Sequence, residues 1–234
     1  MPGRADPNRS TTKWATELAR RALAEDRTDR DRTTRALLSR SIPAEGRVVA
    51  QAAGVLSGGD VARRMAREAG LRVTARRREG SRIRSGDVVL RLRGDARRIL
   101  AVERSVLNVV MHASGVASAT ARAVRAARGS SPPLEVWATR KTLPGLRDLE
   151  KAAVVHGGGR PHRRDLADAL LVKNNHLQLV PLRDAVRRAR AVARPGERVQ
   201  VEVRTATDAL RAARAGIPAL LIDNASPRRA RSIV

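Results

Sequence analysis

Two hydrophobic rhythms divide the chain. In the first part the apolar positions switch between helical and alternating spacing. Residues 11–26 place Trp14, Leu18 and Leu23 on or near one face, which predicts an amphipathic helix with Thr11 or Thr12 as its cap. The ten residues before it are polar and read as a loose tail. Residues 47–59 read as a strand running into glycines, and 60–70 as a short helix closed by Gly70. From 71 to 95 apolar and polar residues alternate, with turn signals at Glu79-Gly80 and Ser85-Gly86-Asp87, so antiparallel strands are expected. A long helical stretch follows over 96–129, with a break expected near Ser114-Gly115.

Beyond it the rhythm becomes regular. Short apolar runs at 134–139, 169–173, 199–203 and 219–223 are separated by helical patterns at 143–157, 181–193 and 205–216. Strands that alternate with helices predict a parallel α/β sheet, open or closed into a barrel. The organisation expected is a 1–10 tail, an α+β domain over 11–103 and an α/β domain over 104–234.

Composition changes this picture in three ways. Cysteine is absent, which excludes disulfides, Cys-ligated zinc and a Cys nucleophile, and fits a cytoplasmic protein. No apolar run approaches 18 residues and the N-terminus has no apolar signal core, so neither a membrane span nor a signal peptide is expected. The net charge of +25 raises the possibility of a nucleic-acid or other polyanion binder. Against that stands the lack of stacking platforms: Phe and Tyr are absent, and Trp14 and Trp137 are the only tryptophans. Nearly all the positive charge is arginine. Three of the four lysines, Lys141, Lys151 and Lys173, fall within 33 residues of one another, which points to a place where a compact ammonium was wanted.

The candidate chemistry sits where the second rhythm's strands end. They deliver Arg140 and Lys141, then Lys173, then Glu202, then Asp223. In parallel α/β folds that end of the sheet is where sites are built. Several cations suit a substrate with more than one negative group, a dicarboxylate or a phosphate. Two carboxylates among them suit a Mg²⁺ ion carried on substrate phosphates, or hydrogen bonds to sugar hydroxyls. Gly157-Gly158-Gly159 allows close approach of the backbone to a ligand and delivers His162 and Arg163. A lone histidine is most often structural; this one, between three glycines and two arginines, is assigned to the site or its border.

The segments ERSVLN (103–108), SGVASATAR (114–122), TRKTLPGLRDLEKAAVVHGGGRPHR (139–163), KNNH (173–176), VEV (201–203) and LIDN (221–224) resemble quinolinate phosphoribosyltransferases over about residues 14–234. The resemblance implies an N-terminal α/β sandwich followed by an open, incomplete parallel α/β barrel. It implies transfer of phosphoribosyl from phosphoribosyl pyrophosphate to quinolinate with decarboxylation, giving nicotinate mononucleotide, CO₂ and pyrophosphate, with Mg²⁺. Carried over by motif, Arg140, His162, Arg163 and Lys173 grip the quinolinate carboxylates, and Lys141 stands at the junction with the donor. Glu202 and Asp223 face the ribose hydroxyls and the metal, and Arg104 of a homodimer enters the partner's site.

Departures from the family pattern are Ala138 before TRKT, Asn174 in place of an acid, and Arg204 in place of a second acid. Each removes negative charge near the expected metal and sugar, which predicts weaker donor or metal binding. The chain also ends at SPRRARSIV, where family members continue into further phosphate-binding loops. The alternatives are a catalytically impaired scaffold of the same fold, and a basic protein that holds polyanions nonspecifically.

Overall fold

The computed structural model describes residues 7–130 and 133–233. The expected tail over 1–10 lies partly outside them; residues 7–10 are already helical, in α1 (Pro7–Glu25). The chain forms two compact units, one over 5–162 and one over 163–234.

In the first unit α1 is followed by the short α2 (Arg32–Leu37), whose N-terminus is capped by Asp31 accepting from the Thr34 N–H at 2.9 Å. The expected strand over 47–59 is instead three elements. β1 (Pro43–Val49) ends at a register shift, bends occupy 51–53, and β2 (Gly54–Val55) joins a different sheet. β2 then leads into α3 (Gly59–Glu68). β3 (Arg72–Arg76), β4 (Arg82–Ile83) and β5 (Val88–Asp95) are antiparallel as expected. Their ladders are β1-β5-β3 and β2-β4. Gly80 and Gly86 take φ of +75° and +86° at the two expected turns.

α4 (Ala96–Ala127) crosses this unit as one unbroken helix, about 48 Å long. The break expected at Ser114-Gly115 does not occur. Ser114 faces Ser57, accepting its N–H at 3.0 Å and donating to its carbonyl at 3.1 Å, while Gly115 is exposed. The domain boundary expected at 103/104 falls inside this helix, and compactness divides the chain at 162/163 instead. An 18-residue window of α4, of mean hydropathy 1.2, is apolar enough by length and composition to cross a membrane, as the core helix of a folded domain can be. Its stripe of Val102, Val106, Val109, Val110, Ala113 and Ala117 is buried and belongs to the core of the unit.

Among the described residues the one aromatic side chain packed against that core is the partly buried Trp14. The core is filled by close approach. Ala15 and Ala19 of α1 and Ala62 and Ala66 of α3 are all fully buried, so two helices meet with almost no side chain between them.

The unit closes with β6 (Trp137–Ala138), α5 (Arg147–His156) and β7 (Arg160–Pro161), where β6 and β7 pair in parallel.

The second unit is a parallel three-stranded sheet of order β10-β9-β8, built from β8 (Leu171–Val172), β9 (Gln200–Val203) and β10 (Ala219–Ile222). Between the strands run the one-turn α6 (Asn174–Leu177), then α7 (Leu182–Val192) and α8 (Ala206–Arg214); α9 (Pro227–Ile233), absent from the sequence reading, ends the described chain. Val201 and Val203 are buried in a core with Val186, Ala209, Ala212 and Ile217. Strand alternation therefore turns Glu202 to the opposite face of the sheet. The parallel α/β character expected of the second half is what the chain adopts, in two open ladders.

Candidate active site

In the first unit, the TRKT segment leaves the end of β6 and is braced by its own threonines. Thr139 Oγ1 accepts the Lys141 N–H at 3.1 Å. Thr142 receives Arg147 Nε at 3.2 Å and donates its backbone N–H to the Arg140 carbonyl at 3.0 Å. The hydroxyls hold the backbone and leave the cations over. Lys141 is exposed, and Arg140 carries a buried Nε with no hydrogen-bond partner. A buried guanidinium N–H without a partner is costly in a finished structure and points to an acceptor supplied by a ligand.

The parallel β6–β7 register pairs Trp137 with Arg160 and Ala138 with Pro161. Continued by one residue, it sets Thr139 beside His162, so the two halves of the motif arrive at neighbouring strand ends. The His162 ring stands edge-on to Trp137, 6.3 Å between centroids and 81° between planes. Its carbonyl accepts from Lys151 Nζ at 3.0 Å. Lys151 is 7% exposed, so this lysine of the cluster does not serve as a mobile ammonium; it props the backbone at His162.

The triple glycine also differs from the expectation. A Cβ on Gly157 would lie 2.4 Å from the Ala117 carbonyl oxygen, and one on Gly159 would lie 3.0 Å from Thr120 Cγ2. The close approach that glycine permits here is to α4, because the loop must seat against that helix before it can present His162.

In the second unit, Arg163 is buried and donates to the Ala169 carbonyl at 3.0 Å. Lys173, Glu202 and Asp223 follow at the carboxyl ends of the three adjacent parallel strands. The pairs Val172↔Val201 and Leu221↔Glu202 put Lys173 and Glu202 at one level. Lys173 is exposed, and its backbone N–H donates to His176 Nδ1 at 2.9 Å, which starts α6. Glu202 Oε1 accepts from Asn174 Nδ2 at 2.7 Å. Asp223 lies 3.6 Å from Arg204 Nη2. No group of three or more His, Asp or Glu side chains among the described residues is placed to hold a metal. Two carboxylates at neighbouring strand ends do fit a Mg²⁺ that arrives with substrate phosphates, because that ion keeps few protein ligands.

Arg104 lies on α4, in the first unit. It is exposed, without a hydrogen bond or ion pair among the described residues, next to Ser105, which is buried and donates to Asp26 Oδ2 at 3.0 Å.

Comparison with known proteins decides the family. The N-terminal domain of quinolinate phosphoribosyl transferase matches residues 31–114, and its C-terminal domain matches residues 116–234. The chain belongs to the quinolinate phosphoribosyltransferase family. It is 40% identical over 217 residues to the probable carboxylating nicotinate-nucleotide pyrophosphorylase of Methanothermobacter thermautotrophicus, covering 92% of this chain and 78% of that protein. It is 42% identical over 195 residues to the carboxylating nicotinate-nucleotide pyrophosphorylase of Mycobacterium leprae, covering 81% and 68%. The crystal structure of nicotinate-nucleotide pyrophosphorylase from Ehrlichia chaffeensis superposes with a TM-score of 0.85 at 27% identity, over 93% of this chain and 80% of that one. Of the three departures from the quinolinate phosphoribosyltransferase pattern, two thus have partners: Asn174 holds Glu202, and Arg204 stands beside Asp223.

Proposed function

We propose that the chain acts as a carboxylating nicotinate-nucleotide pyrophosphorylase. It joins quinolinate to the phosphoribosyl group of phosphoribosyl pyrophosphate and releases pyrophosphate and CO₂, leaving nicotinate mononucleotide for NAD synthesis. The observation that carries this reading is the orphaned Nε of Arg140 beside exposed Lys141, at the strand end that neighbours His162.

In this reading Arg140, His162, Arg163 and Lys173 hold the two carboxylates of quinolinate, and the fixed threonine braces keep Arg140 and Lys141 aimed without reorganisation. The ring nitrogen attacks the anomeric carbon of the donor as the bond to pyrophosphate breaks. Positive character then builds on the ribosyl group, where Glu202 and Asp223 stabilise it. A Mg²⁺ held by Glu202, Asp223 and the donor's phosphates would offset the charge of the leaving pyrophosphate. In the second half the bond from ring to carboxylate breaks and its electron pair stays on the ring carbon until a proton replaces CO₂. The cations hold the ring during that step. Arg104, exposed on α4 and without a hydrogen bond or ion pair among the described residues, completes the site of a second copy in a homodimer. Nonspecific polyanion binding accompanies the activity as a consequence of the +25 charge.

The test is incubation with quinolinate, phosphoribosyl pyrophosphate and Mg²⁺, following nicotinate mononucleotide and pyrophosphate together. Equal amounts of both are expected, and both are lost in Lys141→Ala. Salt-sensitive polyanion binding without either product would refute the enzyme and favour the binding protein.

A further inference from the structure

Asp223 and Glu202 stand near the carboxyl ends of adjacent strands, Asp223 two residues further along in register, and they are held differently. Glu202 receives a short hydrogen bond from a neutral amide, Asn174 Nδ2 at 2.7 Å, which orients it and leaves its charge. Asp223 faces a full positive charge. The Arg204 Nη2 to Asp223 Oδ2 distance is 3.6 Å, longer than a hydrogen bond, and the two side chains are 60% and 26% exposed. The backbone under this pair is fixed. The Arg204 carbonyl accepts from Arg229 Nη2 at 2.6 Å, and the Asp223 N–H donates to the Val203 carbonyl at 3.2 Å. The register that pairs Val203 with Ile222 carries on to bring Arg204 level with Asp223. Arg204 also lies two residues past Glu202, just beyond the end of β9. The backbone is tied and the guanidinium is loose: such a group changes partner easily.

We propose that Arg204 is an exchangeable partner: it neutralises Asp223 in the resting protein and transfers to the donor's pyrophosphate on binding, which releases the carboxylate to the ribose hydroxyls and to the Mg²⁺ that travels with the donor. The inference rests on the phosphoribosyl-transfer reading. The chemistry favours it, because the planar guanidinium fork matches phosphate oxygens better than a single carboxylate at 3.6 Å. It also follows that free divalent ion has little hold on Asp223 until the donor has drawn Arg204 away.

The test is binding, with turnover measured separately. Mn²⁺ serves as a probe for Mg²⁺, its free concentration read by electron paramagnetic resonance, and Mg²⁺–pyrophosphate binding is read by calorimetry. The full chain is compared with Arg204→Ala and Arg204→Lys. Arg204→Ala is expected to bind pyrophosphate about tenfold more weakly, the size of one charged hydrogen bond, and to bind Mn²⁺ alone more tightly than the parent. The KM for the donor rises with it while the KM for quinolinate stays put, and Arg204→Lys, which keeps the charge and loses the fork, recovers only part of the pyrophosphate affinity. Unchanged pyrophosphate and Mn²⁺ binding in Arg204→Ala, from a sample with the parent's circular dichroism, overturns the exchange. If the binding differences appear and the parent makes no nicotinate mononucleotide, the phosphoribosyl-transfer reading fails and the exchange of Arg204 between carboxylate and pyrophosphate stands. If the parent turns over and the binding differences are absent, the reverse holds.

Discussion

Glu79 is a charge that the fold keeps out of water. Its side chain is 12% exposed, one oxygen accepts the Asp60 N–H at 2.6 Å, and the other is buried without a hydrogen bond. The groups around it give little compensation. Asp60 on α3 repels it, and Arg76 on β3 is paired with Asp60 at 2.9 Å. His156 at the end of α5 lies 3.6 Å away, but its Nδ1 is also 2.8 Å from Ser57 Oγ, and burial holds its pKa below the ordinary value. Desolvation is the largest influence on Glu79 and lifts its pKa from 4.5 to about 7. Each pKa unit corresponds to about 1.4 kcal/mol, so carrying the ionised form costs the folded state about 3 kcal/mol. The native protein binds this proton more tightly than the unfolded chain does. The Glu79 contribution to stability is therefore full below pH 4.5 and is lost as pH rises through 7. His156 acts in the other direction, since a histidine kept neutral by burial costs stability as pH falls below its ordinary 6.5. Glu79→Gln separates the two, because glutamine has nothing to ionise and keeps an acceptor for the Asp60 N–H. Urea unfolding at pH 5 and pH 8, followed by tryptophan fluorescence, reads the right part of the chain, as Trp14 and Trp137 both lie in the unit that holds Glu79. The variant is expected to exceed the parent by about 1 kcal/mol at pH 5, where the unfolded carboxyl is already mostly ionised, and by about 3 kcal/mol at pH 8. A difference of the same size at both pH values, or a less stable variant at pH 8, would refute the reasoning.

Other perturbations test the site and its supports. Lys151→Met keeps the bulk of a buried side chain and removes its bond to the His162 carbonyl; it should cost about 1–3 kcal/mol in urea unfolding and raise the KM for quinolinate more than the KM for the donor. Gly157→Ala drives a Cβ to 2.4 Å from the Ala117 oxygen, so its unfolding free energy should fall by about 1–3 kcal/mol or more, measured by the same assay. Removal of divalent ions with EDTA should abolish product formation and leave the thermal midpoint unchanged, because no cluster of protein ligands among the described residues depends on the ion for its fold.

What could be read in advance follows from the range of the interactions involved. The helices of the second unit have strong local periodicity, and α7 and α8 lie within one or two residues of their expected bounds. Charges at strand ends were legible too, since Lys173, Glu202 and Asp223 need only the strands to be found. Contacts made across the fold were not. Ser114-Gly115 has the composition of a helix break, and only the pairing of Ser114 with Ser57, 57 residues away, shows why none forms. Glu79 reads as a turn residue beside Gly80, and the turn exists, yet its carboxylate is buried by α3 and α5. Lys151 looks like one more cation in a cationic cluster until α5 turns it inward. Arg204 is legible as a charge out of place, and its partner is known only once β9 and β10 are in register.

The seating of Gly157 and Gly159 on α4 ties two distant parts of the molecule together. The same helix carries Arg104, 13 residues and about 20 Å toward its N-terminus from the Ala117 seat. A rigid rod thus sets both the loop that presents His162 and the arginine on its exposed face. Variation along such a rod is not neutral scaffolding. Selection for a new acceptor can act at Ala117 or Thr120, small side chains that meet the glycine run, and alter recognition through the lie of the helix. A lineage adapting its specificity would therefore accumulate substitutions in a helix interior, and a search confined to the charged strand ends would pass them by.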